Sequence, residues 1–180
     1  MPTTYTKIAT ATAASGGSAT LGFSAIPQTY RDLKIILSAR CSIAAGIANN
    51  SMRMGNGSVN TSAVYYYIAV TGTGTGSPSW DIGNSSAGTL LNSIGPGSTA
   101  TANAFSNVEI RIFNYASTTL TKHCLVDAVS EQNTASTNVQ IRAQSWYQNS
   151  TAAVDTIEFA LPSGTYSQYS TATLYGIKSS

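Results

Sequence analysis

The chain reads as an all-β protein, an antiparallel β-sandwich of jelly-roll type, on three observations. Its apolar clusters alternate with polar residues at period two, and no segment shows a convincing helical period. The clusters are short and are separated by Gly, Ser, Asn and Pro, which mark turns. Charged residues make up only 9% of 180 residues, against about 25% in an ordinary soluble domain. Hydroxyls, amides and tyrosines must therefore cover the surface, and such a surface loses few ionic hydration shells when another protein docks on it.

Residues 1–20 are rich in Thr, Ala, Ser and Gly, with one weakly apolar point at Ile8. They read as an extended N-terminal arm that docks by strand addition on a neighbouring subunit. Residues 21–180 form a single sandwich domain, a length that suits one core. Leu21 to Ile26 is a short apolar segment closed by Pro27. From Tyr30 to Arg40 a strand follows, with Leu33, Ile35 and Leu37 on one face. Met52-Arg53-Met54 leads into Gly55-Asn56-Gly57, a hairpin turn whose Asn-Gly favours two positive φ angles. Val64 to Val70 alternates so that both faces are usable, Tyr66, Ile68 and Val70 against Tyr65, Tyr67 and Ala69. Residues 71–78 and 83–97, rich in Gly, Ser and Pro, read as loops. Phe105 to Tyr115 is the central strand, with β-branched Val108, Ile110 and Ile112 turned inward and Glu109 and Arg111 outward. Cys124 to Val129, Val139 to Ala143, Ile157 to Leu161 and Thr173 to Lys178 complete about eight strands, the number of a jelly roll.

Composition excludes several functions. The net charge is +2 and the nine basic residues are scattered singly, so no basic stripe exists to exchange for phosphate counterions, and nucleic acid is not an expected partner. No apolar stretch has the length of a membrane-spanning helix, and no secretory leader is visible. Synthesis and folding in a cytoplasm are expected. Cys41 and Cys124 are too few and too far apart for a disulfide framework or a zinc site. No metal or cofactor is expected.

Candidate catalysts are equally sparse. Asp127 and Glu131 share a strand face but lie four residues apart, about 13 Å at strand rise, beyond the separation that paired glycosidase carboxylates use. Asp155 and Glu158 have odd spacing and point to opposite faces of an extended strand. His123, the only histidine, would need Cys41 brought to it across the fold to form a nucleophile pair. Thr71-Gly-Thr-Gly-Thr-Gly76 lacks the Lys-Ser/Thr of a phosphate loop. The chain is not read as an enzyme. Its aromatic residues are better suited to interfaces, where they bring large rigid area at little entropic cost. Tyr5, Ile8, Tyr65, Tyr67, Trp146, Tyr147, Tyr166 and Tyr169 are the interface candidates.

Four places carry a resemblance. They are Phe23-Ser-Ala-Ile-Pro-Gln-Thr-Tyr-Arg-Asp-Leu33 running into Leu37-Ser-Ala-Arg40, then Ile112-Phe-Asn-Tyr115, then Trp146, and Leu174-Tyr-Gly-Ile-Lys178. Together they resemble a family of small virion proteins of tailed bacteriophages, similar to capsid decoration (cement) proteins or to distal tail-fibre modules. The resemblance implies a jelly-roll β-sandwich in trimers and a structural role, with no catalytic residues. It leads to the expectation of a decoration protein on the capsid surface, bound to the major capsid protein and to itself. The alternative is a receptor-binding tail-fibre or tail-tip module that binds a glycan. The chain departs from the pattern after Arg40, where related sequences carry acidic residues and this one has Cys41-Ser-Ile-Ala-Ala-Gly-Ile-Ala48. That loop is expected to be buried at an interface.

Overall fold

The computed structural model describes residues 4–73, 76–85, 88–131 and 139–178, and every strand or helix assigned among them is a β-strand. The strands are β1 (Tyr5–Thr12), β2 (Thr20–Phe23), β3 (Asp32–Ser38), β4 (Ile47–Asn56) and β5 (Ser58–Val59). They continue with β6 (Tyr65–Thr73), β7 (Ser79–Ser85), β8 (Thr89–Pro96) and β9 (Asn107–Phe113). The last four are β10 (Lys122–Glu131), β11 (Val139–Gln148), β12 (Thr156–Ala160) and β13 (Thr171–Ile177).

One sheet has eight strands in the order β1-β13-β3-β9-β10-β11-β6-β7; the other is β2-β12-β4-β5, with β8 also paired to β4. Every pairing is antiparallel. Within this arrangement β1-β13-β3-β9 faces β2-β12-β4-β8, and the chain crosses between the sheets at β1 to β2, β2 to β3, β3 to β4, β5 to β6, β7 to β8, β8 to β9, β11 to β12 and β12 to β13. That is the eight-stranded double Greek key of a jelly roll. Two insertions complete the molecule. β5-β6-β7 lies between β4 and β8, β10-β11 lies between β9 and β12, and β10, β11, β6 and β7 widen the large sheet beyond β9.

The core lies between the sheets and follows the period of two. Leu33, Ile35 and Leu37 of β3 and Val108, Ile110 and Ile112 of β9 are fully buried, as the alternation predicts. They meet Met52 and Met54 of β4 and Ile157 and Phe159 of β12 in one apolar cluster. The resembling segments converge at one end of it. Asp32 accepts the Asn114 amide at 2.9 Å and the Arg31 guanidinium at 2.8 Å. The Tyr115 hydroxyl donates to the Pro27 carbonyl. A Cβ at Gly176 would stand 2.3 Å from the Tyr30 ring, so that ring needs a glycine beneath it. At the other end of β3, the Arg40 guanidinium ties the loop 98–104, with its shortest bond 2.6 Å to the Thr101 carbonyl. These motifs hold the fold together.

The sequence-based expectations need four corrections. Of the segment 1–20, the described residues 4–20 are not a separate arm. Tyr5–Thr12 is the edge strand β1, zipped to β13 within the same chain with a bulge at Ile8, and Ile8, Ala9 and Ala11 pack on the core. The second segment read as a loop holds β8 and the end of β7, whose first residues 79–82 fall between the two segments; β7 offers only Trp80 and Ile82 at period two, and Leu90-Leu91 breaks the period in β8. At the β4–β5 turn only Gly57 has a positive φ, +71°, so one left-handed residue suffices. The segment after Arg40 is tied within the chain, Ser42 N–H to the Thr165 carbonyl and Ser98 N–H to the Ile43 carbonyl.

Candidate functional site

The outer face of the large sheet is divided in two. On the jelly-roll half it carries ion pairs beside Tyr5, Ile36 and Tyr175: Lys34 reaches Glu109 at 2.8 Å and Arg111 reaches it at 3.0 Å. The bond from Lys34 is the largest cause holding the Glu109 carboxyl below its ordinary range. Glu109 stands in register with Asp127, the cross-strand carboxylate pair that sequence spacing could not show. The two cations on Glu109 hold that carboxylate in its charged form.

On the widening half the same face turns apolar. The period of two on β10 sends Cys124, Val126 and Ala128 inward, and so leaves Leu125 and Val129 exposed. On β6, Ile68 and Val70 face out; on the edge strand β7, Trp80 and Ile82 do. These six side chains are between 45% and 73% exposed. Between them the described side chains of β11 on this face are Ala143 and Ser145, and there β11 forms the floor of a furrow walled by Leu125 and Asp127 on one side and Ile68 and Val70 on the other.

The inner side of the same strands is mixed: Cys124, Val126 and Ala128 of β10 and Tyr65 of β6 join the apolar core, while β11 and its neighbours carry a polar network. Arg142 is buried, donates at 3.0 Å to Gln144 Oε1 and at 3.0 Å to Thr71 Oγ1, and lies 3.7 Å from Asp81. Burial lowers the pKa of its guanidinium. Tyr67 donates to the same Asp81 at 3.2 Å. An antiparallel sheet ordinarily turns its apolar face to the core and its polar face to water. Here a polar network around Arg142 lies inside, beside the core residues of β10, and an aliphatic and indole surface lies outside, a larger exposed apolar area than this half of an antiparallel sheet ordinarily turns to water.

The eight expected interface residues are not brought together. Tyr65 and Tyr166 are fully buried core residues, which corrects their assignment to an interface. The Tyr65 hydroxyl accepts the Met54 amide at 3.0 Å, and Tyr166 donates to Asn50 Oδ1 at 2.8 Å. Ile8 fills the bulge of β1 against the core. Tyr67 is half-buried under β7, with its ring against Gly83. Tyr5 is exposed at the opposite edge of the sheet, where the Lys34 ammonium lies 5.4 Å from its ring. Tyr169 is exposed in the turn before β13, at a φ of +73°. The side chains of Trp146 and Tyr147 lie outside the described residues; their backbones stand in register with Cys124 and His123. Of the apolar half-face, Ile68 and Val70 were visible as the second usable side of their strand. Trp80 and Ile82 fall in the short stretch 79–82 between the two segments read as loops, which was assigned to no strand.

The catalytic candidates are not assembled either. Cys41 follows the Ser38 end of β3, whereas His123 stands in register with Phe113 beside the Asp32 end. Both cysteines are buried, and burial raises both thiols above their ordinary value. Asp155 accepts the Gly57 amide at 2.7 Å and Glu158 pairs with Arg53 at 3.4 Å. Among the described residues no three His, Cys, Asp or Glu are placed to hold a metal ion. No known family model matches the chain, and no curated protein matches it significantly.

Proposed function

We propose that this is a structural protein of a tailed-bacteriophage virion, a capsid decoration protein, which keeps its place by packing the apolar half-face of its widened sheet against a protein neighbour. One observation carries the reading: Ile68, Val70, Trp80, Ile82, Leu125 and Val129 form a contiguous exposed apolar surface on one half of the large sheet. Two further features support it. A surface with so few ions is easily desolvated, and the bacteriophage-like segments lie where they build the jelly roll. The partners are the major capsid protein and other copies of this chain.

The test is co-sedimentation with undecorated heads. The protein should pellet with the heads and raise the temperature at which they rupture, and Val70→Asp should do neither while keeping its far-ultraviolet circular dichroism. Binding to tails or to host cells in place of heads would move the protein to the tail-fibre reading.

A further inference from the structure

Building on the reading that this half-face docks on a protein, we infer that its occupant is a second copy of the same chain, packed face to face about a two-fold axis. The relief of the face is self-complementary. Neighbouring strands lie about 4.8 Å apart, so the β11 furrow, floored by Ala143 and Ser145, is one strand wide. The ridge beside it, Ile68 and Val70 on β6, has the same width. A two-fold axis parallel to the strands and passing between β11 and β6 lays the β6 ridge of each copy into the β11 furrow of the other. An axis across the strands would set furrow on furrow and leave a void. The first arrangement is closed and isologous, as a stable pair requires.

The same operation places β7 of each copy over β10 of the other. Ile82 then meets Leu125, and Trp80 comes over Asp127, the charged residue among the described side chains of this half-face. The Asp127 carboxylate accepts what the indole N–H offers, and the two Asp127 side chains lie on opposite sides of the axis, so no like charges meet.

The area suits a reversible pair. Taking about 200 Å² for a tryptophan and about 90 Å² for a branched aliphatic side chain, the exposed fractions amount to about 400 Å² of apolar surface on each copy. The pair buries roughly 800 Å² from these side chains alone, below the about 1,200 Å² at which standard interfaces begin, so a concentration-dependent dimer is expected.

Sedimentation equilibrium of the isolated protein at micromolar concentration is the test. A dimer is expected, and Val70→Asp, at the centre of the face, should weaken it by at least about 100-fold, as loss of a central contact does. Trp80→Ser, at the rim on an edge strand, is the second variant should Val70→Asp fail to fold, and it should shift the same equilibrium. Thr173→Asp, on the jelly-roll half of the same sheet, should leave the dimer intact. A stable monomer, a trimer, or a dimer indifferent to both Val70→Asp and Trp80→Ser would overturn the inference. The virion reading fails separately. A monomer that still pellets with heads through Val70 keeps that reading and removes the pair; a dimer that binds no head keeps the pair and removes that reading.

Discussion

At Tyr166 the difference between a core tyrosine and an interface tyrosine becomes measurable. Its ring is fully buried and its hydroxyl donates at 2.8 Å to Asn50 Oδ1, itself a buried side chain. Tyr166→Phe keeps the ring and deletes the donor, so the Asn50 oxygen is left without that bond where water does not reach it. The expected cost is about 1 to 3 kcal/mol of unfolding free energy, read as a lower urea midpoint, with no change in self-association. An unchanged midpoint joined to lost assembly would return Tyr166 to the interface. Composition cannot make this distinction, because a tyrosine's phenol is as useful against a buried amide as against a partner. What decides is the identity of the residue opposite it, here one 116 positions away in the chain.

At the scale of elements, the legible strands were those whose inward residues are large and β-branched. β3 and β9 announce themselves because Leu33, Ile35, Leu37, Val108, Ile110 and Ile112 fill the middle of the core. β1 is different: Tyr-Thr-Lys-Ile-Ala-Thr-Ala-Thr offers little to bury, yet seven of its residues pair with β13. Ordering each residue costs about 1 to 2 kcal/mol, and the main-chain ladder together with Ile8, Ala9 and Ala11 offsets that cost inside the molecule. The expected consequence of deleting residues 1–12 therefore reverses. A free arm would leave a folded domain behind, whereas loss of β1 strips the edge of β13 and uncovers core. The truncated chain should lose several kcal/mol of the about 5 to 15 kcal/mol a domain possesses, seen as an earlier urea transition. Its bared edge should also make it associate, seen by light scattering. β7 escaped notice for the opposite reason. Trp80 and Ile82 face outward over an inward Asp81, so the alternation is present with its polarity reversed and interrupted by Gly83.

For the molecule as a whole, the buried groups fix how stability depends on pH, and the sign is the same for most of them. Burial raises the phenols of Tyr65, Tyr115 and Tyr166 above their ordinary value of 10.0. It raises the thiols of Cys41 and Cys124 above 9.0. In each case the folded state holds a proton that the unfolded chain gives up, so the contribution to stability is complete below the unfolded value and is lost as pH rises beyond it. Lys122 opposes this trend. Its ammonium is buried and donates to the carbonyls of Ser117, Leu120 and Thr151, and burial lowers its pKa from 10.5. Between its folded and unfolded values it adds stability as pH rises, as buried Arg142 does at still higher pH, two groups against five. The urea midpoint should therefore hold steady to about pH 9 and fall steeply through about pH 10 to 11. Tyrosinate absorbance should show the same event from the other side: of the ten tyrosines, at least Tyr65, Tyr115 and Tyr166 should ionise only as the sandwich opens, in step with the loss of far-ultraviolet circular dichroism. Ten tyrosines titrating together near their ordinary value while the chain stays folded would mean that these three rings are open to water, and the core described above would be wrong at each of them.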